Sequence, residues 1–117
     1  MTPAIFYYSL TGNIKRFLDK CGLEAHSIEQ TAPKREFVLV TNTLGFGEIP
    51  SLVEAFLQQH GHLLVGVAAS GNRNWGDNYG KAGRLISARY QVPLLHTFEL
   101  SGTQGDVEEF KRKINGG

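Results

Sequence analysis

Hydrophobic positions fall at two different spacings along the chain, and the alternation between them predicts its secondary structure. Short apolar runs predict five strands, at about residues 4–8, 25–28, 37–41, 63–69 and 92–100. Between these runs, apolar residues repeat at helical spacing, which predicts helices at about residues 14–21, 51–60, 79–89 and from 106 onwards. The chain is therefore predicted to alternate strands and helices over its whole length.

Residues that favour helix ends refine these boundaries. Ser51-x-x-Glu54 and Asp106-x-x-Glu109 have the spacing of capping boxes, so we expect the second and fourth helices to begin there. Gly22 and Gly61 stand where a glycine commonly ends a helix. The inner face of the third helix is predicted to consist of Ala82, Leu85 and Ile86.

Strands separated by helices of this length cannot pair as hairpins, so they are expected to form right-handed crossovers and a parallel sheet. The element order predicts an α/β fold: a flavodoxin-like doubly wound five-stranded parallel sheet, strand order 2-1-3-4-5, in one domain over residues 1–117. In such a sheet, ligands bind beyond the carboxyl ends of the strands. The loops after strands one, three and four leave the sheet at this edge, and we expect them to form a binding site.

The first of these loops has the composition of a phosphate-binding turn. It reads Ser9, Leu10, Thr11, Gly12 and Asn13, and it leads directly into the first predicted helix. The free N–H groups and the dipole of a helix N-terminus attract an anion, and the hydroxyl and amide side chains add further donors. Neither the lysine-containing nucleotide loop nor the dinucleotide glycine motif is present. A single phosphate monoester is therefore favoured, with an ordinary turn as the alternative.

The other two loops could form the walls of a site for a flat aromatic ring. The loop after strand three contains Thr43, Leu44, Gly45, Phe46 and Gly47. The loop after strand four contains Ser70, Gly71, Asn72, Asn74, Trp75 and Gly76. Phe46 and Trp75 could pack against the faces of such a ring, and Gly45 or Gly47 could allow a peptide to turn over if the ring changes its protonation. Alternatively, the glycines only permit tight turns, and Trp75 is a core residue or a partner contact.

These motifs also carry a family resemblance. Ser9-x-Thr11-Gly12-Asn13 is similar to the FMN phosphate loop of flavodoxin-like proteins, although Ile14 replaces a usual hydroxyl residue. Nearly the whole chain resembles the NrdI family, small FMN proteins of the class Ib ribonucleotide reductase system. The stretches that carry this resemblance are Thr43-x-Gly45-Phe46-Gly47-x-Ile49-Pro50, residues 70–76, Ala82-Gly83, Ile86-Ser87, residues 90–93 and residues 98–103.

The resemblance implies a defined task and a set of partners. Reduced FMN would react with dioxygen to give superoxide or a peroxide-level oxidant. That oxidant would pass to the dimanganese centre of the reductase small subunit, where a tyrosyl radical forms. An unidentified reductant would recharge the flavin. The resemblance requires no catalytic side chain, because the cofactor supplies the chemistry.

Composition and charge argue against several other classes of function and location. A formal net charge of +1 gives no field that would favour nucleic acid or membrane binding. No apolar stretch is long enough to span a bilayer, no secretion signal opens the chain, and the one cysteine, Cys21, suits a reducing cytoplasm. His26 and His96 are isolated in sequence, and His60 and His62 flank a predicted helix end, so no metal site is expected.

Two other functions remain compatible with these residues. The chain could be a generic flavodoxin-like electron carrier for another redox enzyme. It could also be a flavin-free module whose loops hold another phosphate ester or a partner peptide. Flavin absorption by the purified protein would exclude the flavin-free module, and binding to a manganese reductase subunit would favour the activator over the carrier.

Overall fold

Strands and helices alternate along the chain, as the hydrophobic pattern predicts. A computed structural model describes residues 3–9, 12–43, 48–71 and 80–115. The strands are β1 (Ala4–Tyr7), β2 (His26–Ser27), β3 (Phe37–Asn42), β4 (Leu64–Gly71) and β5 (Leu94–Glu99). The helices are α1 (Asn13–Cys21), α2 (Ser51–His60), α3 (Lys81–Tyr90) and α4 (Gln104–Ile114), and a short 3-10 turn, Gly61–Leu63, follows α2.

The strands form one parallel sheet in the order β2-β1-β3-β4-β5, which confirms the predicted topology. β3 lies at the centre, and its residues 37–41 are all buried. This explains its continuous apolar run, because a central parallel strand is covered on both faces. The carboxyl ends of β1, β3 and β4 consequently meet at one edge of the sheet.

Each face of the sheet has its own apolar core. On one face, α1 and α4 cover a cluster in which the rings of Phe17 and Phe98 stack with centroids 4.0 Å apart. On the other face, α2 and α3 cover a cluster centred on Phe6, Phe37 and Phe56. Among the helices of the described ranges, none is long and apolar enough to cross a membrane.

Cys21 belongs to the α1–α4 core, as its position in the helical pattern predicts. Burial raises the pKa of its thiol to about 11, although Lys111 and Lys20 act in the opposite direction. The thiol is therefore protonated at neutral pH and behaves as a small apolar side chain.

Two β-bulges interrupt the alternation of side chains in β4 and β5. The pairing of β3 with β4 passes from Phe37↔Leu64 to Val38↔Gly66, so Val65 is an extra residue. The pairing of β4 with β5 passes from Val67↔Leu94 to Ala68↔His96, so Leu95 is an extra residue there. A bulge changes which face the following residues point towards. As a result Leu95 and Phe98, three positions apart, both pack into the α1–α4 core.

The two predicted capping boxes, at the starts of α2 and α4, need correction. The N-cap of α2 is Pro50, and no side chain caps this helix, so Ser51 is its first residue rather than its cap. The N-cap of α4 is Thr103, three residues before the predicted cap. Thr103 and Asp106 form the actual capping box, in which the Thr103 N–H donates to the Asp106 carboxylate at 2.8 Å and the Asp106 N–H donates to the Thr103 hydroxyl at 3.1 Å.

Of the predicted helix-ending glycines, one is confirmed as a left-handed cap and one is not, and one predicted inner-face residue is exposed. Gly22 ends α1 in the left-handed conformation, at φ 67°, as predicted. Gly61 follows α2 with a right-handed φ of −59°, so it does not act as a left-handed cap. Its close neighbour explains the glycine instead, because a Cβ at this position would lie 2.4 Å from Cε1 of Tyr90. Leu85 is 38% exposed, so the prediction that it belongs to the inner face of α3 is wrong.

Candidate cofactor site

The predicted site residues that the structure describes lie at the carboxyl edge of the sheet. They are Ser9, Gly12, Asn13, Thr43, Ser70 and Gly71, and they follow or end β1, β3 and β4. The other predicted site residues lie outside the described residues, so their placement stays a prediction. These are Leu10, Thr11, Leu44, Gly45, Phe46, Gly47, Asn72, Asn74, Trp75 and Gly76.

The N-terminus of α1 faces this edge without a side-chain cap. Gly12 is the N-cap residue with a left-handed φ of 84°, a conformation that glycine adopts at little cost. The Ile14 N–H donates to the Ser9 hydroxyl at 3.3 Å, which fixes the loop against the first turn. The first N–H groups of a helix have no intrahelical acceptor. The site therefore offers backbone donors and the positive end of a dipole to an anion.

Arg16 adds a positive charge that the sequence analysis missed. Its guanidinium donates a hydrogen bond to Oδ1 of Asn13. Nη1 of Arg16 lies 3.3 Å from the place that a Cβ at position 12 would occupy. The side chain thus folds back along the first turn to Gly12, the glycine of the predicted phosphate loop. An arginine four residues after the loop glycine was the available signal, because that spacing returns a side chain to the same helix end.

Thr43 carries a buried hydroxyl without a partner. The residue is 4% exposed, and within the described ranges its Oγ1 is the buried side-chain polar atom that makes no hydrogen bond. Its backbone is fixed, because the Thr43 N–H donates to the Ser70 carbonyl at 3.0 Å. Nearby, Nδ2 of Asn42 donates to the Ser70 hydroxyl at 3.3 Å. An unmet buried hydroxyl is costly, so one at a ligand-binding edge points to a ligand as its partner.

A buried threonine two residues earlier in the chain contrasts with Thr43, because its hydroxyl has a hydrogen-bond partner. Thr41 is 0% exposed, and its hydroxyl donates to the Asn42 carbonyl at 3.1 Å. The Thr41 hydroxyl is therefore satisfied within the strand, whereas the Thr43 hydroxyl just beyond the strand is not. The chemistry of the edge suits a ligand with an anionic group for α1 and polar atoms for the end of β3.

His96 is not isolated, which corrects the sequence-based expectation. Its Nε2 lies 2.7 Å from Oδ1 of Asp106, and the two side chains are only 16% and 13% exposed. The bulge at Leu95 explains the pair, because it turns His96 towards α4. In the described part of the chain, no three histidine, cysteine or acidic side chains are grouped to hold a metal.

Hydrogen bonding holds Asp106 in its ionised form. Burial opposes ionisation, but the hydrogen bonds from the Thr103 N–H, from His96 and from the Thr103 hydroxyl outweigh it. The pKa of Asp106 is consequently below its ordinary value. The pair joins β5 to the cap of α4 and is therefore assigned a structural role.

A cavity of about 470 Å³ lies far from this edge. It is lined by residues that precede or begin strands, among them Pro3, Val65 and Pro93, and by Arg112 near the end of α4. These positions mark the amino edge of the sheet. The cavity is thus separate from the edge at which a doubly wound sheet binds its ligands.

Comparisons of the sequence agree on a family. A profile of the family described as "NrdI Flavodoxin like" matches residues 5–112. A relative named "Protein NrdI", from Macrococcus caseolyticus, is 53% identical over 112 residues, which cover 94% of this chain and 87% of the relative.

Comparisons of the structure agree on the fold. A short-chain flavodoxin associated with a non-canonical PDU bacterial microcompartment superposes with a TM-score of 0.77 at 18% identity, covering 99% of this chain and 96% of the other. Oxidised flavodoxin 2 from Bacillus cereus gives 0.66 at 18% identity, with 98% and 96% covered. Two-electron reduced Megasphaera elsdenii flavodoxin gives 0.65 at 18% identity, with 95% and 96% covered.

Proposed function

Because the chain belongs to the NrdI flavodoxin-like family, we propose that it binds FMN at the carboxyl edge of its sheet and activates class Ib ribonucleotide reductase. In this role the reduced protein converts dioxygen to superoxide or a peroxide-level oxidant. The oxidant serves to assemble the dimanganese–tyrosyl radical cofactor of the reductase small subunit. The observation that carries the proposal is the orphaned hydroxyl of Thr43 at the ligand-binding edge.

The phosphate end of the ligand belongs at the N-terminus of α1. α1 begins at the left-handed Gly12 without a side-chain cap on that residue, and backbone N–H groups of its first turn are expected to donate to the anion. Arg16 supplies a positive charge, which also holds the oxygen of the Asn13 amide and leaves its NH₂ group as a donor. Ser9 accepts from Ile14 and keeps its own O–H to donate, and Thr11 is expected to add a further hydroxyl.

The ring end belongs beside the ends of β3 and β4. The Thr43 hydroxyl gains its missing hydrogen bond from a polar edge of the ring, and Ser70 fixes the Thr43 backbone by accepting its N–H. Phe46 and Trp75 are expected to pack against the faces of the ring, as the sequence predicts. Gly45 or Gly47 is expected to provide the peptide that adapts to reduction.

In this proposal the cofactor and the protein chain have different roles. When bound, FMN supplies the electron transfer to dioxygen. The chain binds the phosphate, orients the ring and leaves one ring edge for a partner protein. The partners are the dimanganese small subunit, a flavin reductant yet to be identified and dioxygen. The buried, protonated Cys21 thiol is compatible with a cytoplasmic location.

The proposal is tested in two steps with the purified full chain. Titration with FMN should give flavin absorption bands that remain with the protein after gel filtration. The protein is then reduced and mixed with the manganese-loaded class Ib small subunit in air, and the tyrosyl radical is quantified by electron paramagnetic resonance. We expect radical formation that depends on the reduced protein and is absent with free reduced FMN.

The outcomes separate the three functions. Failure to retain FMN would contradict both redox functions and leave a flavin-free module. Retention of FMN without radical formation would identify an electron carrier for another enzyme. Radical formation supports the activator.

A further inference from the structure

Arg16 differs from the two other cations of α1 in the partner that its charge meets. Nζ of Lys15 lies 3.4 Å from the carboxylate of Asp19, so that charge is neutralised on the surface. Nζ of Lys20, in the last turn, donates to a backbone carbonyl at 2.9 Å. Arg16 instead donates to the neutral amide oxygen of Asn13, and none of the ion pairs within the described ranges includes it. Because the first turn also contains no acidic residue, it keeps an unneutralised positive charge.

This charge lies at the helix end that faces the carboxyl edge of the sheet. Nη1 of Arg16 is 3.3 Å from the place that a Cβ of Gly12, the N-cap residue, would occupy. The helix dipole adds about half a positive charge at the same end, so the total is about one and a half. A phosphate monoester carries a charge of about −1.5 to −2 at pH 7. A sulfate ester or a phosphodiester carries a single negative charge. The helix end therefore matches the charge of a monoester better than that of a monoanion.

The neighbouring side chains on this face of the sheet are polar but uncharged. One residue from each of β1, β3 and β4 packs into the α1–α4 core at the same level of the sheet: Tyr7, Val40 and Ala68. Two positions further along the chain, on the same face, come Ser9, Asn42 and Ser70. Nδ2 of Asn42 donates to the Ser70 hydroxyl at 3.3 Å, and the Ser9 hydroxyl accepts from the Ile14 N–H at 3.3 Å. This polar row can hydrogen-bond a ligand, but it contributes no formal charge.

Two other residues of this edge bear on the ligand and its charge. Thr43 is 4% exposed and its hydroxyl has no partner, which points to a ligand independently of the helix end. Glu99 ends β5, three strands from β1 in the order of the sheet. Neighbouring strands lie about 4.8 Å apart, so β5 is about 14 Å from β1, beyond the screening length of about 10 Å at 0.1 M salt. The formal charge closest to the start of α1 in this part of the site is therefore that of Arg16.

We propose that Arg16 is a specificity-determining residue, which makes the site prefer the dianionic phosphate of FMN over ligands with a single negative charge. This inference rests on the proposed function and adds the property by which the site selects its ligand. Coulomb energy is proportional to the charge of the ligand. Loss of the Arg16 charge therefore weakens the binding of a dianion twice as much, on a logarithmic scale, as the binding of a monoanion. Loss of a purely structural contact weakens both equally.

The test compares three flavins that share the ring and the ribityl chain but differ in charge. They are FMN with a dianionic phosphate, riboflavin 5′-sulfate with a single negative charge, and neutral riboflavin. Arg16→Gln removes the charge, and Arg16→Lys keeps it without the planar guanidinium. Lys15→Gln is the matched control, because it removes the same charge from the neighbouring residue, which pairs with Asp19. Affinities are measured by flavin fluorescence titration at low ionic strength, and melting temperatures confirm that each variant is folded.

We expect the wild type to bind FMN more tightly than riboflavin 5′-sulfate. Arg16→Gln should bind FMN about tenfold and riboflavin 5′-sulfate about threefold more weakly, with riboflavin unchanged, so that the preference for FMN falls about threefold. Arg16→Lys and Lys15→Gln should both retain the wild-type preference.

Equal losses for FMN and riboflavin 5′-sulfate in Arg16→Gln would overturn the inference, since Arg16 would then only shape the helix start. A preference that falls as far in Lys15→Gln would also overturn it, in favour of the overall charge of the helix. A preference that falls as far in Arg16→Lys would assign it to the shape of the guanidinium instead of its charge. In each of these cases FMN binding, and with it the proposed function, still stands. If the wild type binds none of the three flavins, the proposed function itself fails.

Discussion

At the scale of single residues, the most informative group is a hydroxyl that the protein alone does not satisfy. Thr43 is buried with its Oγ1 unpaired, whereas Thr41, which is also buried, donates to a carbonyl. Thr41 lies in β3, Thr43 directly follows the strand, and the two side chains have the same chemistry. Their different hydrogen bonding supports the proposal that the Thr43 hydroxyl is kept for a ligand, whereas that of Thr41 stabilises the strand.

Replacing each threonine by valine should give opposite results. Thr43→Val removes an unmet polar group, so we expect the unliganded protein to gain about 1 kcal/mol of stability and to bind FMN about fivefold more weakly. Thr41→Val breaks an internal hydrogen bond, so it should cost about 1 kcal/mol and leave FMN affinity unchanged. Denaturant unfolding and flavin fluorescence titration measure the two effects. Equal FMN affinity in both variants would assign the Thr43 hydroxyl no role in binding.

The arginine on α1 gives a second prediction at this scale. Arg16→Gln should weaken FMN binding about tenfold, because a charge-assisted contact to the phosphate is lost. The affinity of the variant should also depend less on ionic strength. Lys15→Gln is the control, since it removes the same charge from the neighbouring residue, whose ammonium pairs with Asp19 on the surface. A similar loss of affinity in both variants would indicate a general charge effect instead of a specific contact.

At the scale of elements, the joint between β5 and α4 depends on one carboxylate. Asp106 accepts from the backbone and hydroxyl of Thr103 and pairs with His96 across the joint. This concentration of hydrogen bonds lowers the pKa of Asp106 in the folded state. Asp106 therefore stabilises the fold when it is ionised.

The sign of the resulting pH dependence follows from that lowered pKa. The ionised Asp106 contributes its full stabilisation above pH 3.8, the ordinary pKa of an aspartate side chain. This stabilisation is lost as the pH falls through the lower pKa that Asp106 has in the folded state. We expect Asp106→Asn to cost about 2 kcal/mol at pH 7, from the cap and the charged hydrogen bond together. The difference from the wild type should shrink below pH 3.8. Urea unfolding across this pH range measures it, with the exposed Asp19→Asn as a near-neutral control.

The contact of α3 with the sheet depends on a glycine inside the helix. A Cβ at Gly83 would lie 2.8 Å from Cβ of Ala69 and 2.9 Å from Cδ1 of Leu94. Gly83→Ala should therefore destabilise the protein by about 1 kcal/mol, because overpacking outweighs the gain in helix propensity. Gly105→Ala in α4 should instead stabilise it by about 0.5 kcal/mol, since its nearest contact is an ordinary 3.6 Å. Thermal unfolding of both variants tests the pair, and stabilisation by Gly83→Ala would contradict the close approach.

At the scale of the whole molecule, the hydrophobic pattern predicted the topology but not the local exceptions to it. The strand order follows from apolar runs separated by helices, and the structure confirms it. The bulge at Leu95 could not be predicted, because leucine is an ordinary strand residue and the extra position is defined only by its neighbour strand. Because the bulge is not visible in the sequence, the pairing of His96 with Asp106 could not be predicted either.

The positions of the candidate site residues in the described ranges were predictable to a similar extent. The loop positions of Ser9, Gly12 and Thr43 follow from the sequence, since they come directly after or near the ends of predicted strands. The placement of Arg16 against Gly12 depends on the direction in which a long side chain folds, which sequence spacing alone does not fix. The cap of α4 was misplaced for another reason: Thr103 and Asp106 can both cap, and tertiary contacts of Asp106 with β5 decide between them.

The overall charge of the chain bears on the redox behaviour of a bound flavin. Twelve basic and eleven acidic residues leave a formal charge of +1, so the net charge of the chain adds no strong repulsion against an anionic reduced flavin. We expect the two one-electron reduction potentials of bound FMN to lie close together. A spectroelectrochemical titration measures them, and two widely separated potentials would show that local groups override the overall charge.

The bulge in β5 also limits how this chain can change length during evolution. Deletion of the extra residue Leu95 would restore simple alternation and leave His96 and Phe98 facing α4 and α1, at the cost of one leucine in that core. Deletion of Thr97, after the bulge, would instead turn Phe98 towards α3 and abolish its ring stack with Phe17. Insertions and deletions are therefore expected to accumulate in the connections between elements, while the residue count between His96 and Thr103 stays constant among relatives that keep this core.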